Sequence, residues 1–282
     1  MLVRQNILLE FLRQAGRPVT KLELVKWAFV FRQDMSRDVT SFYDFLPYHY
    51  GPYSFSLARE VEGLVQDGWI ADRGHAWELV RFPELESRHA RDVAKVVKQF
   101  GNCDQDVVID YVYERSPEFT VNSRRKKLAE RKVADPKVYT AGYEGLQIDG
   151  FLNLLVQRGI ERLIDVRSNP VARRFGFHRS TLARLCGLLG IEYQHQQTLG
   201  IRSELRRSLE TDMDYERLFE HYSETTLLDE QHCVEIVAEE VRSKASVLVC
   251  MEANPARCHR SFLARNISEM THLPIVDLGQ SQ

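Results

Sequence analysis

Two carboxylates occupy positions where catalysis is common, because each ends an apolar run that is typical of a buried strand. Asp165 follows Leu163-Ile164, and Glu252 ends the most apolar run of its region. Arg167 and Tyr143 lie just after such runs as well. Hydrolysis of an N-glycosidic bond requires a carboxylate that activates water or stabilises an oxocarbenium-like sugar, and a cationic or hydrogen-bonding group for the departing base. The predicted catalytic residues are therefore Asp165, Glu252, Arg167 and Tyr143, with Tyr143 available to stack on an extruded base.

The same side chains also allow a purely structural interpretation. Asp165 could pair with Arg167, and Glu252 could pair with Arg260, so that each ion pair ties the end of a strand to its surroundings. Such pairs are common where buried charges must be compensated. Both interpretations remain open from the residues alone.

The region around Glu252 also contains Cys250, Cys258 and His259, which allow two further chemistries. These residues could bind a metal, but neighbours in a helix point about 100° apart, so Cys258 and His259 would not chelate one ion easily. Cys258 could instead be a thiolate nucleophile whose pKa is lowered by a helix N-terminus and nearby arginines. In a third interpretation, Cys250 belongs to a strand core and Cys258 is a small buried residue. The sequence therefore predicts no metal site and no cofactor.

Basic residues cluster in segments that could contact nucleic acid. Between Val166 and Ile191 the chain carries five arginines and one histidine but no Asp or Glu, and arginine suits bidentate phosphate contacts. Residues 123–132 hold six basic residues and one acidic residue, which favours either a solvated helix face or a contact with the phosphate backbone. A third group lies at the predicted start of the helix near Pro255, where an anion is favoured. The predicted nucleic-acid-binding residues are Arg173, Arg174, Arg179, Arg184, Arg257, His259, Arg260, Arg124, Arg125 and Lys126.

The elements that must position these residues alternate between strand and helix from Lys137 onwards. This alternation predicts a Rossmann-like α/β domain, with a mostly parallel sheet and helices on both faces. Ligands of such domains bind at the carboxyl ends of the strands. The predicted strands are 138–142, 162–167, 192–195, 246–252 and 274–277, and the predicted helices are about 147–158, 179–189, 215–223, 227–244 and 256–270.

The first part of the chain has a different pattern, in which three short helices precede a hairpin. The helices are predicted at about 4–14, 21–32 and 54–67, and the strands at 69–71 and 76–80. Thr20 and Glu23 have the spacing of a capping box for the second helix. This order is typical of a winged-helix module, which binds either DNA or protein. The predicted domains are a winged-helix-like domain at 1–80, a helical connector with a basic linker at 81–136, and the Rossmann-like catalytic domain at 137–282.

The composition limits the class of protein. The chain has 282 residues, of which 44% are hydrophobic and 28% charged, and its net charge is −2. These values exclude a disordered, collagen-like or coiled-coil protein. No apolar run is long enough to span a membrane, the first residues lack the features of a signal peptide, and the five cysteines are scattered without a CxxC pair. The sequence therefore predicts a cytoplasmic protein with reduced thiols and no membrane contact.

Four ordered motifs resemble the DUF488 family over about residues 138–277. They are Thr140-Ala141-Gly142-Tyr143, then 163–170, then Gly190-Ile191-Glu192-Tyr193 with Leu199-Gly200, and finally Cys250-Met251-Glu252 with Cys258-His259-Arg260. The resemblance implies a small Rossmann-like domain. It also implies a setting near DNA modification and phage defence.

Together these observations predict a nucleic-acid-processing enzyme, most specifically a DNA glycosylase that removes damaged or modified bases, with anti-phage defence as its setting. Its partner would be duplex DNA with a flipped base. No lysine lies among the strand-end residues to form a Schiff base, so a monofunctional enzyme is expected. Two alternatives remain: a ligand-sensing winged-helix transcriptional regulator that binds a nucleotide without reaction, and a toxin–antitoxin component.

Overall fold

The computed structural model describes residues 1–34, 42–82, 89–206, 209 and 211–279. The chain divides into two compact units, residues 1–130 and residues 131–282. No helix in the described residues combines the length and the apolar character needed to cross a membrane.

The N-terminal unit contains the predicted helices and hairpin. Its first elements are α1 (Val3–Ala15), β1 (Val19–Thr20), α2 (Lys21–Asp34), β2 (Leu46–Tyr48), β3 (Gly51–Tyr53), α3 (Phe55–Gln66), β4 (Ile70–Asp72) and β5 (Ala76–Leu79). Strands β1, β5 and β4 form an antiparallel sheet in that order, and β2 pairs with β3. A winged helix remains an interpretation of this unit.

The start of α2 forms the predicted capping box. The Thr20 amide donates to the Glu23 carboxylate at 2.8 Å, and the Glu23 amide donates to the Thr20 hydroxyl at 3.1 Å. These bonds satisfy backbone donors that have no partner within the helix. The reciprocal bonds between Thr20 and Glu23 therefore determine where α2 begins.

Two further helices complete this unit, α4 (Ala90–Phe100) and α5 (Gln105–Arg115). Val93, Val96 and Val108 are buried in the same hydrophobic core as the apolar residues of α1 and α2. An apolar helix face needs a partner surface, and here the partner is the helical core rather than a separate connector. Residues 83–88 of the predicted connector lie outside the described residues.

The basic run at 123–132 contains no helix, so the predicted helix face is wrong. The Arg125 guanidinium forms ion pairs with Asp106 at 2.5 Å and Asp110 at 3.2 Å, both from α5. Arg124 and Lys126 are exposed. Arg125 is therefore partly neutralised by its own unit.

The C-terminal unit is the predicted Rossmann-like α/β fold. Its strands are β6 (Val138–Gly142), β7 (Arg162–Asp165), β8 (Glu192–His195), β9 (Ser246–Cys250) and β10 (Ile275–Asp277). They form one parallel sheet in the order β10, β6, β9, β7, β8. All five residues of β6 and of β9 are buried, as expected for central strands of a sheet that is covered on both faces.

The helices of this unit follow the predicted order, but the helix predicted at about 227–244 is divided in two, and the largest boundary difference is at the start of the last helix. They are α6 (Ile148–Gln157), α7 (Arg179–Leu188), α8 (Asp212–His221), α9 (Leu227–Asp229), α10 (Gln231–Ser243) and α11 (Arg260–Thr271). A π-helical turn, Tyr222–Thr226, joins α8 to α9. The prediction that the last helix begins at Ala256 is wrong, because Pro255–Arg257 form a 3-10 turn and Cys258 is extended. This boundary changes the geometry of the site.

Two glycines allow the loops at the carboxyl edge of the sheet to pack closely. A Cβ on Gly142 would lie 1.9 Å from the carbonyl oxygen of Glu252. A Cβ on Gly200 would lie 2.0 Å from the amide nitrogen of Ser168. Because no side chain fits at either position, these glycines hold together the loops that carry the site residues.

Lys26 of α2 is buried, and its ammonium donates to the carbonyl oxygen of Pro52 at 2.8 Å. Burial lowers the pKa of Lys26 to about 7, since desolvation penalises the charged form. Between this value and the ordinary lysine pKa of 10.5, the unfolded chain holds a proton that the folded unit does not. The free energy of unfolding of the N-terminal unit is therefore expected to rise as the pH rises through this window.

Lys26→Met should flatten this rise, because Met fills a similar volume and does not titrate. Denaturation at several pH values, followed by tryptophan fluorescence, measures the effect, since Trp27, Trp69 and Trp77 all lie in the N-terminal unit. Lys98→Met, at an exposed lysine, is the matched control and should keep the rise. An equal rise in the Lys26→Met protein would show that other groups cause it.

Candidate active site

Asp165, at the end of β7, forms a buried ion pair with Arg167. Asp165 is 0% exposed. Its Oδ1 accepts from Arg167 Nε at 2.7 Å, and its Oδ2 accepts from Arg167 Nη2 at 2.5 Å. The Tyr193 hydroxyl also donates to Oδ2, at 2.7 Å. Both carboxylate oxygens are therefore already occupied by protein donors.

The remaining Arg167 donors extend this network to Tyr143. Arg167 Nη1 donates to the Tyr143 hydroxyl at 2.8 Å and to the Phe177 carbonyl oxygen at 2.9 Å. The Tyr143 ring is buried and stacks on Phe177, with centroids 4.1 Å apart and an interplanar angle of 11°. Burial raises the pKa of the Tyr143 hydroxyl. The prediction that Tyr143 stacks on an extruded base is wrong, because Phe177 already covers the ring.

The structure thus brings Asp165, Arg167 and Tyr143 together, but in the arrangement of the structural alternative. The Asp165 carboxylate accepts four hydrogen bonds and is fully enclosed, so a substrate cannot reach it. This network connects β7 to the loop before α7 and to β8 through Tyr193. The network therefore holds the ends of β7 and β8 and the loop before α7 in fixed positions relative to one another.

Glu252, two residues after β9, lies in a second cluster that reaches the surface. Its side chain is 19% exposed. Oε1 accepts from Arg206 Nη1 at 2.6 Å, and Oε2 accepts from the thiols of Cys250 at 2.9 Å and Cys258 at 3.2 Å. The predicted pairing of Glu252 with Arg260 is wrong, since Arg206 takes that place.

His259 completes this cluster and has a defined tautomer. Its Nε2 lies 3.0 Å from the Val166 carbonyl oxygen, which can only accept, so Nε2 carries the proton. Its Nδ1 lies 3.0 Å from Arg206 Nη2, which can only donate, so Nδ1 carries a lone pair. That lone pair is also 3.8 Å from Cys250 Sγ and 3.9 Å from Cys258 Sγ.

The two thiols lie in one cluster, and each affects the pKa of the other. The hydrogen bond from Cys258 holds the pKa of Cys250 well below its usual range, whereas burial raises the pKa of Cys258. Because Cys258 is buried and its thiol donates to the Glu252 carboxylate, the geometry does not favour the interpretation of Cys258 as an accessible thiolate nucleophile. Cys258 lies before α11 and is fully buried, as is Cys250.

The prediction that Cys258 and His259 point apart and would not chelate one ion easily is also wrong. It assumed that Cys258 and His259 are neighbours within a helix, but Cys258 has extended backbone angles, with φ −138° and ψ 134°. The potential ligand atoms of Cys250, Cys258 and His259 all lie within 4.8 Å of one another. These three residues are the candidate ligands for a metal ion in the described part of the chain.

A cavity of about 370 Å³ opens beside this cluster. Its lining combines charged and aromatic groups: Glu144, Arg206, Tyr215, Phe219, Glu252 and Arg257. Sequence reasoning missed Arg206 and Tyr215, which lie on the long connection between β8 and α10. Arg206 is 46 residues from Glu252, so only the tertiary fold reveals their ion pair.

The predicted nucleic-acid-binding residues fall into an exposed and a buried set. Arg173, Arg174, Arg179 and Arg184 are exposed, and none forms an ion pair with a carboxylate in the part of the chain that the structure describes. Arg257 is also exposed and lies 6.0 Å from the ring centroid of Tyr215.

His259 and Arg260 are 0% exposed, so their predicted contact with nucleic acid is wrong. Arg260 donates to the carbonyl oxygens of Glu252 at 2.5 Å and Ala253 at 3.2 Å, and pairs with Asp277 at 3.4 Å. A guanidinium at the start of α11 opposes the helix dipole, and these internal acceptors compensate it in place of a bound anion.

The comparisons with known proteins agree with the motifs of the C-terminal unit. The sequence model of the family described as Domain of unknown function DUF488 matches residues 147–267. No curated protein and no solved structure matched the chain. The match thus falls within the region of the C-terminal unit whose ordered motifs resemble this family.

Proposed function

We propose that the C-terminal unit hydrolyses the N-glycosidic bond of a damaged or modified base in DNA, with Glu252 as the catalytic carboxylate. The observation that carries this proposal is that Glu252 borders the 370 Å³ cavity, whereas Asp165 is enclosed in the core. The cavity volume lies in the range of small-molecule pockets, and a flipped nucleotide is read in such a pocket. Tyr215 and Phe219 supply its aromatic surface.

The chemistry follows from the groups around Glu252. Arg206 orients the carboxylate from one side, so that Glu252 can accept a proton from an attacking water. The water oxygen forms a bond to C1′ of the sugar while the C1′–N bond breaks. The electron pair of the broken C1′–N bond remains on the base nitrogen. Arg257, at the edge of the cavity, is placed to stabilise the departing base. The phosphodiester is not involved, so the first product is an abasic site.

A group of exposed basic residues in the C-terminal unit supports DNA as the polymer. Of the four exposed arginines between residues 173 and 184, Arg179 lines a second cleft of about 430 Å³, together with His178, His195 and Arg202. Both clefts include residues that follow strands of the sheet, where ligands of this architecture bind. Guanidinium groups without protein carboxylate partners are suited to phosphate contacts.

Binding to duplex DNA is expected to depend on salt through these arginines. Replacing Arg173, Arg174 and Arg179 together with Ala should make the slope of log K against log salt less steep by roughly 0.9 for each phosphate that is no longer neutralised, or about 2.7 in all. Fluorescence anisotropy with a labelled duplex at several salt concentrations measures the slope.

The matched control for this variant replaces three exposed arginines from α10, α11 and the end of α6, namely Arg242, Arg265 and Arg158. This control should leave the slope close to that of the natural protein. Equal slopes in the natural protein and in the variant of residues 173, 174 and 179 would assign those residues to a solvated surface.

The proposed reaction is tested by incubating the full chain with duplexes that each contain one modified base. The strand should stay intact after incubation and break after mild alkali, because an abasic site is alkali-labile. A strand that breaks before alkali treatment would indicate a nuclease and contradict the proposal. Binding without a product on any duplex would favour the ligand-sensing regulator.

A further inference from the structure

We infer that Cys250, Cys258 and His259 bind one divalent transition-metal ion, with zinc as the best match, and that Glu252 faces the open coordination position. The three ligand residues are fully buried, and Glu252 connects them to the cavity. Three protein ligands and one open position are typical of catalytic rather than structural zinc sites.

The distances fit such an ion. Zn–S bonds of about 2.3 Å and Zn–N bonds of about 2.0–2.1 Å place tetrahedral sulfur and nitrogen ligands roughly 3.5 Å apart. The His259 Nδ1 atom is 3.8 Å from Cys250 Sγ and 3.9 Å from Cys258 Sγ. Only a small contraction of the cluster is needed. Thiolate and imidazole ligands favour zinc, iron or copper over magnesium or calcium.

The surroundings of His259 also fit a metal ligand. Imidazole ligands usually donate their second ring N–H to a carbonyl or carboxylate, which fixes the orientation of the ring. His259 Nε2 donates to the Val166 carbonyl oxygen at 3.0 Å and leaves Nδ1 directed at the two sulfurs. Tyr222 packs edge-on against the ring, with centroids 5.4 Å apart. The unprotonated nitrogen is therefore held in place in advance.

The local sequence explains why the ligands converge. Cys250 and Glu252 are two residues apart at the end of β9, where alternate side chains share a face. The Asn254 side chain accepts from the Ala256 amide at 2.9 Å and begins the 3-10 turn, which returns the chain to place Cys258 beside Cys250. His259 then precedes α11.

The charges balance when the ion is present. Two thiolates and the Glu252 carboxylate carry three negative charges, which a divalent ion and the Arg206 guanidinium together neutralise. Buried charges require such compensation. Binding of the ion requires that Arg206 Nη2 release His259 Nδ1, while Nη1 can keep its bond to Glu252.

In the proposed reaction the ion would supply the water from which Glu252 takes a proton. A bound metal lowers the pKa of its water and so generates a nucleophile at neutral pH. This step depends on the proposed function, whereas the binding of the ion does not.

The test uses the full chain, purified under reducing conditions, stripped with a chelator and titrated with Co²⁺ as the probe. One ion per chain should bind and produce intense tetrahedral d–d bands and a thiolate-to-cobalt charge-transfer band. Zn²⁺ should then displace the cobalt and remove these bands. Elemental analysis of the purified protein, before the chelator is added, independently measures how many metal ions each chain carries.

Cys258→Ser should weaken Co²⁺ binding by more than the roughly 10–100-fold that the loss of an outer hydrogen-bond partner costs. Cys233→Ser, at a cysteine outside the cluster, is the matched control and should bind as the natural protein does. Glu252→Gln should keep the thiolate-to-cobalt band, because Glu252 is not one of the three ligands. If this variant binds the metal but releases no base, the role of Glu252 in the reaction is distinguished from metal binding.

Two results would overturn the metal site. The first is the absence of a charge-transfer band and of stoichiometric metal in the folded natural protein. The second is equal Co²⁺ affinity in the natural protein and in Cys258→Ser. Circular dichroism of each variant shows whether it is folded, and Cys250→Ser gives a second ligand variant if Cys258→Ser is not. Metal binding without base release would leave the site intact and contradict only the proposed function.

Discussion

Asp165→Asn is expected to lower the free energy of unfolding of the C-terminal unit by about 3–5 kcal/mol, the usual cost of removing one partner of a buried ion pair. Asp165 accepts hydrogen bonds from the Arg167 amide and guanidinium and from the Tyr193 hydroxyl. An asparagine amide group cannot accept where Oδ2 accepts now, and the Arg167 charge would remain buried without a counterion.

Denaturation followed by circular dichroism and tryptophan fluorescence in the same sample measures this destabilisation. The tryptophans report only on the N-terminal unit, so their transition should not move, while the circular dichroism transition of the C-terminal unit shifts to lower denaturant. Asp229→Asn, at an exposed carboxylate, is the control and should change neither transition. A destabilisation below about 1 kcal/mol in Asp165→Asn would contradict the structural role of the network.

Glu252→Gln is expected to reduce base release by about 100-fold to 10,000-fold, the usual contribution of a general base. The substitution keeps the volume and the hydrogen-bonding length of the side chain but removes its ability to take a proton. The C-terminal transition should move little, because the glutamine oxygen can keep the bond from Arg206 and its amide can donate to the cysteine sulfurs, and because the Glu252 and Arg206 side chains are 19% and 31% exposed.

Base release at saturating substrate, measured under single-turnover conditions, checks the Glu252 prediction. Glu235→Gln, on the outer surface of α10, is the matched control and should react at the natural rate. A Glu252→Gln protein that reacts normally would remove Glu252 from the mechanism. Together with Asp165→Asn, this variant separates the two strand-end carboxylates into one that supports the fold and one that reacts.

The parallel sheet could be predicted because apolar strands and amphipathic helices alternate with clear periodicity. The principle that ligands bind at the carboxyl ends of such strands then located both clusters, around Asp165 and around Glu252. It could not decide between them. The exposure of each carboxylate depends on Tyr193 from β8 and on Arg206 from the connection after β8, and neither contact is local in sequence.

The start of the last helix could not be predicted for a local reason. Proline is common at the first position of an α-helix, and the sequence after Pro255 has helical composition. In the structure Pro255 begins a 3-10 turn instead, because the Asn254 side chain caps it and Cys258 then becomes extended. One misplaced helix boundary therefore hid the convergence of Cys258 and His259 on Cys250.

The connector and the basic run show the limits of composition. The apolar faces of α4 and α5 predicted helices correctly, but only the fold shows that they pack against α1 and α2. The charge of residues 123–132 predicted an interaction surface, yet Asp106 and Asp110 from α5 already pair with Arg125. Charge along a sequence does not show which partners the fold supplies.

The central claim is that Glu252 acts on the bond between a base and its sugar, and mass spectrometry of the small molecules released from modified duplexes tests it most directly. The natural protein should release a free base, and Glu252→Gln should release almost none while it stays folded and keeps its affinity for the duplex. Release of nucleotides, conversion of the base within an intact strand, or equal release by both proteins would contradict the account.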